Sequence, residues 1–206
     1  MLLWIILPKE AYEQIQRDGV FRYTEVNEDM TDFPMAYDWL YQEATRVIGS
    51  EPDGAVTPLH GWLRWEVERE RPDLRWMRWN WGPWGEHVLM QVDIPEDRVF
   101  FMDSHCWAHI LNRWLIADNK EEHDRLEVFY DGLSSEEQEK MLLDNWHEKA
   151  FDIEYVEGDD WRGKGSEVEA VFWEVRKEQI RSAKSFVSKP PKMYACYQKR
   201  DNETEN

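Results

Sequence analysis

Tryptophan constrains this chain more than any other residue. Thirteen of them are spread over 206 residues, and Trp62, Trp65, Trp76, Trp79, Trp81 and Trp84 crowd one stretch. Each indole buries a large ring and still needs an acceptor for its N–H. A chain so supplied builds either a core on large rings or a pocket walled with them, and both readings are open. With 42% hydrophobic and 33% charged residues, it has the material for a core under a solvated surface. Its length suits one domain. We expect that domain over residues 1–189, with a polar tail over 190–206 that is disordered at its end.

The formal charge of −18 is unevenly placed. Residues 161–200 hold ten Lys or Arg against four Glu, a local +6, whereas residues 1–160 carry −21. An acidic body repels phosphates, which argues against non-specific nucleic acid binding except through the basic stretch. Solubility is the plainer reading of the acidity. The apolar start, Met1 to Leu7, has no basic flank and runs into Pro8, Lys9 and Glu10, unlike a signal peptide. No run approaches the roughly 20 apolar residues that cross a bilayer. Cys106 and Cys196 are too few for a disulfide framework or a four-ligand zinc site. The expectation is a cytoplasmic protein with no membrane partner.

Leu2 to Leu7, closed by Pro8, reads as a buried central strand. Glu10 to Arg17 reads as a helix stopped by Asp18-Gly19, and Met35 to Ile48 as a second helix ended by Gly49. Between them lie an extended piece at Val20 to Tyr23 and an acidic loop at Asn27 to Asp32. Leu59 to Glu66 alternates as a strand does, followed by a very polar stretch and a loop at Trp81 to Gly85. His87 to Ile94 and Arg98 to Met102 are two strands with Pro95-Glu96-Asp97 between them, close enough for a hairpin. Asp103-Ser104 resembles an N-cap for a helix from His105 to Ile116, with Trp107, Ile110, Leu111 and Trp114 on one stripe. Leu126 to Tyr130 is ambiguous, and Ser134-Ser135-Glu136-Glu137 opens a helix running to Trp146. Val168 to Val175 is the last strong strand, with another available at Ser182 to Val187. The pattern predicts an α+β fold with a mixed, mostly antiparallel sheet and flanking helices.

No P-loop, dinucleotide-binding glycine turn, zincin helix or nucleophile elbow is present. His105, Cys106 and His109, with Asp103 nearby, offer metal ligands at helical spacing, but a third ligand at suitable spacing is not evident, and the alternative is a partly exposed helix start. His60, beside Gly61 and Trp62, would place an imidazole against an aromatic wall, or else is a strand-end histidine. Glu167, Glu169 and Glu174 surround the last strand. A strand carboxylate beside rings can stabilise an oxocarbenium-like transition state, and can equally be an exposed residue of an edge strand.

Taken together, Leu3-Trp4-Ile5-Ile6, Asp18-Gly19-Val20-Phe21-Arg22, Tyr37-Asp38-Trp39-Leu40, Arg71-Pro72-Asp73-Leu74-Arg75, Val92-Asp93-Ile94-Pro95, Met102-Asp103 with Trp107 and Leu111-Asn112, and Phe172-Trp173-Glu174 resemble the bacterial and phage family catalogued as domain of unknown function 3841. The layout is similar to that of ADP-ribosyltransferase toxins of the DarT kind. That resemblance implies an ADP-ribosyltransferase-like split sheet around an NAD cleft, with Glu169 catalytic, Trp4 and Arg22 near the NAD, and His60 and Trp62 on the neighbouring wall. It implies transfer of ADP-ribose to a nucleic acid base or a protein, as a toxin or phage-conflict factor with a possible antitoxin or chaperone. The segment from Arg162 to Arg200 would then be the docking surface. The chain departs from the pattern at Ile5 and Leu7, where Thr and Gln are usual, and lacks a Gln near Glu169. The rival classes are an acidic binding protein that imitates nucleic acid or blocks a partner, and a metal hydrolase built on His105, His109 and Asp103.

Overall fold

Strand β1 (Leu2–Pro8) alternates its side chains across two covered faces. Leu3, Ile5 and Leu7 pack with Ala11 and Ile15 of helix α1 (Lys9–Asp18), while Ile6 packs on the other face with Trp62, Met77, Leu89 and Phe186. A strand buried on both sides needs apolar residues at every position, so the run is continuous rather than alternating. Gly19 ends α1 at φ 85°, donating its N–H to Ile15 O, a left-handed cap that glycine takes without strain. The computed structural model describes residues 1–82 and 84–190. Apart from Pro190, the expected tail lies outside the described residues, as does Cys196.

β1 is central in a six-stranded sheet with β3 (Leu59–Arg64), β4 (Gly85–Asp93), β5 (Phe100–Asp103), β6 (Val168–Phe172) and β8 (Ile180–Ser188). The order is β5-β6-β3-β1-β4-β8, and every neighbouring pair is antiparallel. A separate pair joins β2 (Val20–Phe21) to β7 (Val175–Arg176). Gly61 allows β3 to lie close on β1, because a Cβ there would fall 2.6 Å from Trp4 O.

Helices α3 (Pro34–Ile48), α5 (Ser104–Leu111) and α7 (Ser135–Lys149) cover the β5–β6 end. They form a second core with Trp39, Trp107, Trp146, Phe100, Met102, Val171 and Trp173. Several tryptophans are therefore core rings, as one of the two readings expected, while Trp76, Trp79, Trp84, Trp114 and Trp161 are exposed.

Two local expectations are corrected. The hairpin does not form: β5 pairs with β6 at the far edge from β4, and the strand directions make β4 and β5 parallel. Pro95 leads into a 3-10 turn (Glu96–Arg98), and Ile94 and Val99 are buried with the α1-side core, so the connection crosses the sheet face. The acidic loop holds a short helix, α2 (Glu28–Asp32), because the Asn27 side chain accepts the Met30 N–H. Between the polar stretch at Glu68 to Asp73 and the loop from Trp81, where the sequence assigned no element, lies α4 (Leu74–Asn80), capped by Asp73 and anchored by Met77, which is fully buried. The ambiguous stretch around Leu126 belongs to α6 (Lys120–Asp131).

Candidate functional site

The register of β3 against β6 sets Trp62 opposite Glu169 and His60 opposite Val171. Opposed residues of an antiparallel pair share a face, and so do residues two apart on one strand. His60, Trp62 and Glu169 therefore converge. His60 Nδ1 lies 2.7 Å from Glu169 Oε2, and Ser104 Oγ donates to Glu169 Oε1 at 3.0 Å. Ser104 is in reach because β5 places Met102 opposite Glu169 and then turns into α5. That turn is held by Asp103, fully buried, whose carboxylate accepts the N–H groups of His105, Cys106 and Gly165.

One step before β6, Glu167 accepts the Trp62 indole N–H at 3.1 Å. Burial pushes its carboxyl up from the ordinary 4.5 to about 7, the charge of Glu169 adds to the rise, and hydrogen bonds from Trp62 and Ser104 oppose it. The His60 ring rests on Trp107 at 5.1 Å between centroids, and Trp107 meets Tyr37 edge to face at 5.5 Å. Burial raises the Tyr37 hydroxyl, with Asp29 and Glu169 adding to it, so the tyrosine remains a neutral donor at physiological pH.

Of these, His60, Trp62, Glu169, Trp107 and Tyr37 line a cleft of about 640 Å³, whereas Ser104 and Glu167 stand behind its lining, and that volume is within the range of small-molecule sites. Trp62, Trp81, Trp107, Tyr23 and Tyr37 supply rings to it, and Glu28, Asp29 and Glu169 supply carboxylates. Among the described residues no Lys or Arg lines it. Thr57 Oγ1 and His60 Nε2, both on lining residues, are buried without a hydrogen-bond partner.

Of the residues expected at the site, Glu169, His60 and Trp62 come together there. Trp4 pairs with Trp62 across the strands, but its ring lies under the Arg71 guanidinium, 5.1 Å away, and outside the cleft lining. Arg22 is also elsewhere, held by Glu174 at 2.9 Å and by Asp53 O at 2.9 Å. Ile5 is buried in the α1-side core, so the departure from pattern at that position does not reach the cleft; Leu7, in the same core, touches its edge. Glu167 was visible in sequence only as one of three late glutamates. Ser104 was visible only as a cap, and Trp107 only as part of a core stripe.

Two other groups of residues singled out in the sequence, the histidines of α5 and the basic stretch, are placed as follows. His109 Nδ1 donates to His105 O, His105 Nε2 meets Ser166 Oγ at 3.2 Å, and Cys106 lies under Arg162. Among the described residues no three His, Cys, Asp or Glu are grouped to hold a metal ion. Arg162 is buried, Arg176 is tied to Glu174, and Arg181 is tied to Asp93. Among the described residues, no helix is long and apolar enough to cross a membrane.

A family model described as Domain of unknown function (DUF3841) matches residues 2–181 of the chain. No curated protein matches it, and no solved structure does.

Proposed function

We propose that in this chain, which belongs to the family described as Domain of unknown function (DUF3841), the cleft binds the nicotinamide–ribose end of NAD and the protein transfers ADP-ribose from it. The observation that carries this reading is Glu169, fixed between His60 and Ser104 on the wall of an aromatic and acidic cleft. The nicotinamide ring of NAD is cationic, and rings beside carboxylates favour a cation over a neutral molecule. As the bond from ribose C1′ to the ring nitrogen breaks, its electron pair goes to nicotinamide and positive charge develops on the ribose. A preoriented carboxylate stabilises that charge, and His60 and Ser104 hold Glu169 without reorganisation.

The acceptor's lone pair then closes the bond to C1′, and the acceptor gives up a proton. That proton leaves to solvent, since Glu167, whose affinity for a proton is raised by burial, is held by the Trp62 indole outside the cleft lining. The acidic lining implies that the diphosphate of NAD stays at the mouth, in water. Beside that mouth, where Trp81 and Gly82 line the cleft, α4 exposes Trp76 and Trp79 together with Arg75 and Arg78. Indoles interleaved with guanidiniums suit a nucleobase acceptor better than a protein one.

The test is transfer of label from NAD to single-stranded nucleic acid and to cell extract, comparing the native chain with Glu169→Gln. Loss of transfer by about 100-fold or more in the variant is expected. If neither protein transfers label or binds NAD, the transferase reading falls and the acidic partner-blocking reading takes its place.

A further inference from the structure

A second cavity, of about 480 Å³, lies between α5, α6, α7 and residues 161–162. It shares no lining residue with the cleft. Helix α5 stands between the two, presenting Trp107 to the cleft and His109 to the cavity.

The walls carry Trp114, Trp161 and Tyr130, with His109 and His123 set against the two indoles at 5.8 and 5.6 Å between centroids. Trp114 is 58% exposed and Trp161 44% exposed, yet neither segment is loose. Trp161 Nε1 donates to Ala117 O at 3.0 Å, and Trp114 O accepts the Trp146 indole N–H at 2.8 Å. Anchored rings left open to solvent around a concavity are a binding surface rather than an unfinished core.

The cavity lining sets two guanidiniums, Arg113 and Arg162, against two carboxylates, Glu127 and Asp131. Arg162 lies at its floor, 7% exposed. Its Nη1 donates to Cys106 Sγ at 3.3 Å and its Nη2 is 3.1 Å from Asp118 Oδ1, but its Nε has no acceptor. Asp118 also meets Lys149 Nζ at 2.6 Å, and Glu122 meets the same ammonium at 3.1 Å, so two cations face two carboxylates and it is the unpartnered Nε of Arg162 that is left for a ligand. Arg113 adds a second guanidinium to the lining, and its φ of 56° is the only positive value on a non-glycine among the described residues. That φ closes α5 in a Schellman cap, with the Trp114 N–H bonded to His109 O at 2.9 Å and the Arg113 N–H to Ile110 O at 3.1 Å. Glu127 and Asp131 also line the cavity, and Glu127 is engaged by His123 at 3.4 Å. His109, whose Nδ1–H is committed to His105 O, offers Nε2 as an acceptor.

We propose that this cavity is a second ligand site, for a small aromatic anion whose ring lies on Trp114 and Trp161 and whose carboxylate or phosphate faces Arg113 and Arg162. It stands independently of the reaction assigned to the cleft. The full chain is titrated, by calorimetry and tryptophan fluorescence, with AMP and indole-3-acetate as ring-bearing anions, adenosine and indole as rings alone, and inorganic phosphate and acetate as charge alone. At least one ring-bearing anion should saturate, with its uncharged and ringless counterparts weaker by about ten-fold or more; which one saturates separates a nucleotide from an aromatic carboxylate. Trp161→Leu and Arg113→Gly should each weaken that binding by about ten-fold or more. Arg113→Gly also relaxes the backbone, so its loss of binding, with the melting temperature held or raised, cannot be unfolding. Trp81→Leu, in the cleft, should leave this binding unchanged. The proposal is overturned if no ring-bearing anion saturates, if binding survives both cavity substitutions, or if Trp81→Leu abolishes it.

Discussion

The wall of the cleft and the wall of the cavity are built in opposite ways. His60, Trp62 and Glu169 project from paired central strands, and their positions follow from backbone register and a chain of hydrogen bonds. The cavity is framed by α6, in which no residue is buried, and by indoles whose rings face solvent. A strand-built site is oriented before any ligand arrives, whereas a helix-framed one can adjust around its ligand. That difference suits a reacting carboxylate in the first and simple binding in the second.

The comparison can be broken from either side. The largest effect is expected for Trp146→Ala, since Trp146 is fully buried and its indole holds Trp114 O. It should cost about 3–5 kcal/mol in urea unfolding, and at temperatures where the variant is still folded it should remove ligand binding at the cavity before it affects the cleft. Gly61→Ala attacks the other region, because a methyl group would meet Trp4 O, a backbone atom of the central strand. A loss of about 1–3 kcal/mol is expected, and an unchanged melting curve would show that β3 and β1 are not closely locked.

The next effect is a pH dependence. Folded Glu167 keeps its proton up to about pH 7, whereas its ordinary value is 4.5. Between those values the folded chain holds more protons than the unfolded one, so the contribution is full below pH 4.5 and is lost as pH rises through 7. Native chain minus Glu167→Gln should therefore fall in stability by about 1–2 kcal/mol across that window, after allowance for partial solvent screening. A flat difference would mean that Glu167 does not sit in the apolar surroundings described. Smallest of all, Phe129→Ser on the exposed face of α6 should change stability by no more than about 0.5 kcal/mol; a larger loss would mean that α6 is packed more firmly than its exposure indicates.

How much of this was legible depended on range. The α1 helix with its Gly19 cap and the α7 helix with the Ser134–Glu137 capping box follow from neighbours a few residues apart. The β1 strand was legible for a different reason: burial on both faces leaves a continuous apolar run. The hairpin expected around Pro95 failed because partner choice is not local; β5 buries Phe100 and Met102 against the helices by pairing with β6. Helix α4 was hidden because its aromatic residues are mostly exposed, leaving Met77 as its only buried residue. At the site, Glu169, His60 and Trp62 could be named from a resemblance. Ser104 and Glu167 became legible only when β5 was placed beside β6 and the Trp62 indole turned toward Glu167.

By itself the sequence determined the local elements, the supply of large rings and the acidity of the chain, because these depend on residue type and spacing within a turn or a strand. The tertiary structure alone decided which rings became core, which strands became neighbours and which two carboxylates share one hydroxyl. Those outcomes depend on pairings between residues separated by tens to more than a hundred positions, such as His60 with Glu169. Such pairings are selected by total burial and hydrogen-bond satisfaction across the whole sheet, a quantity that no short stretch of sequence contains.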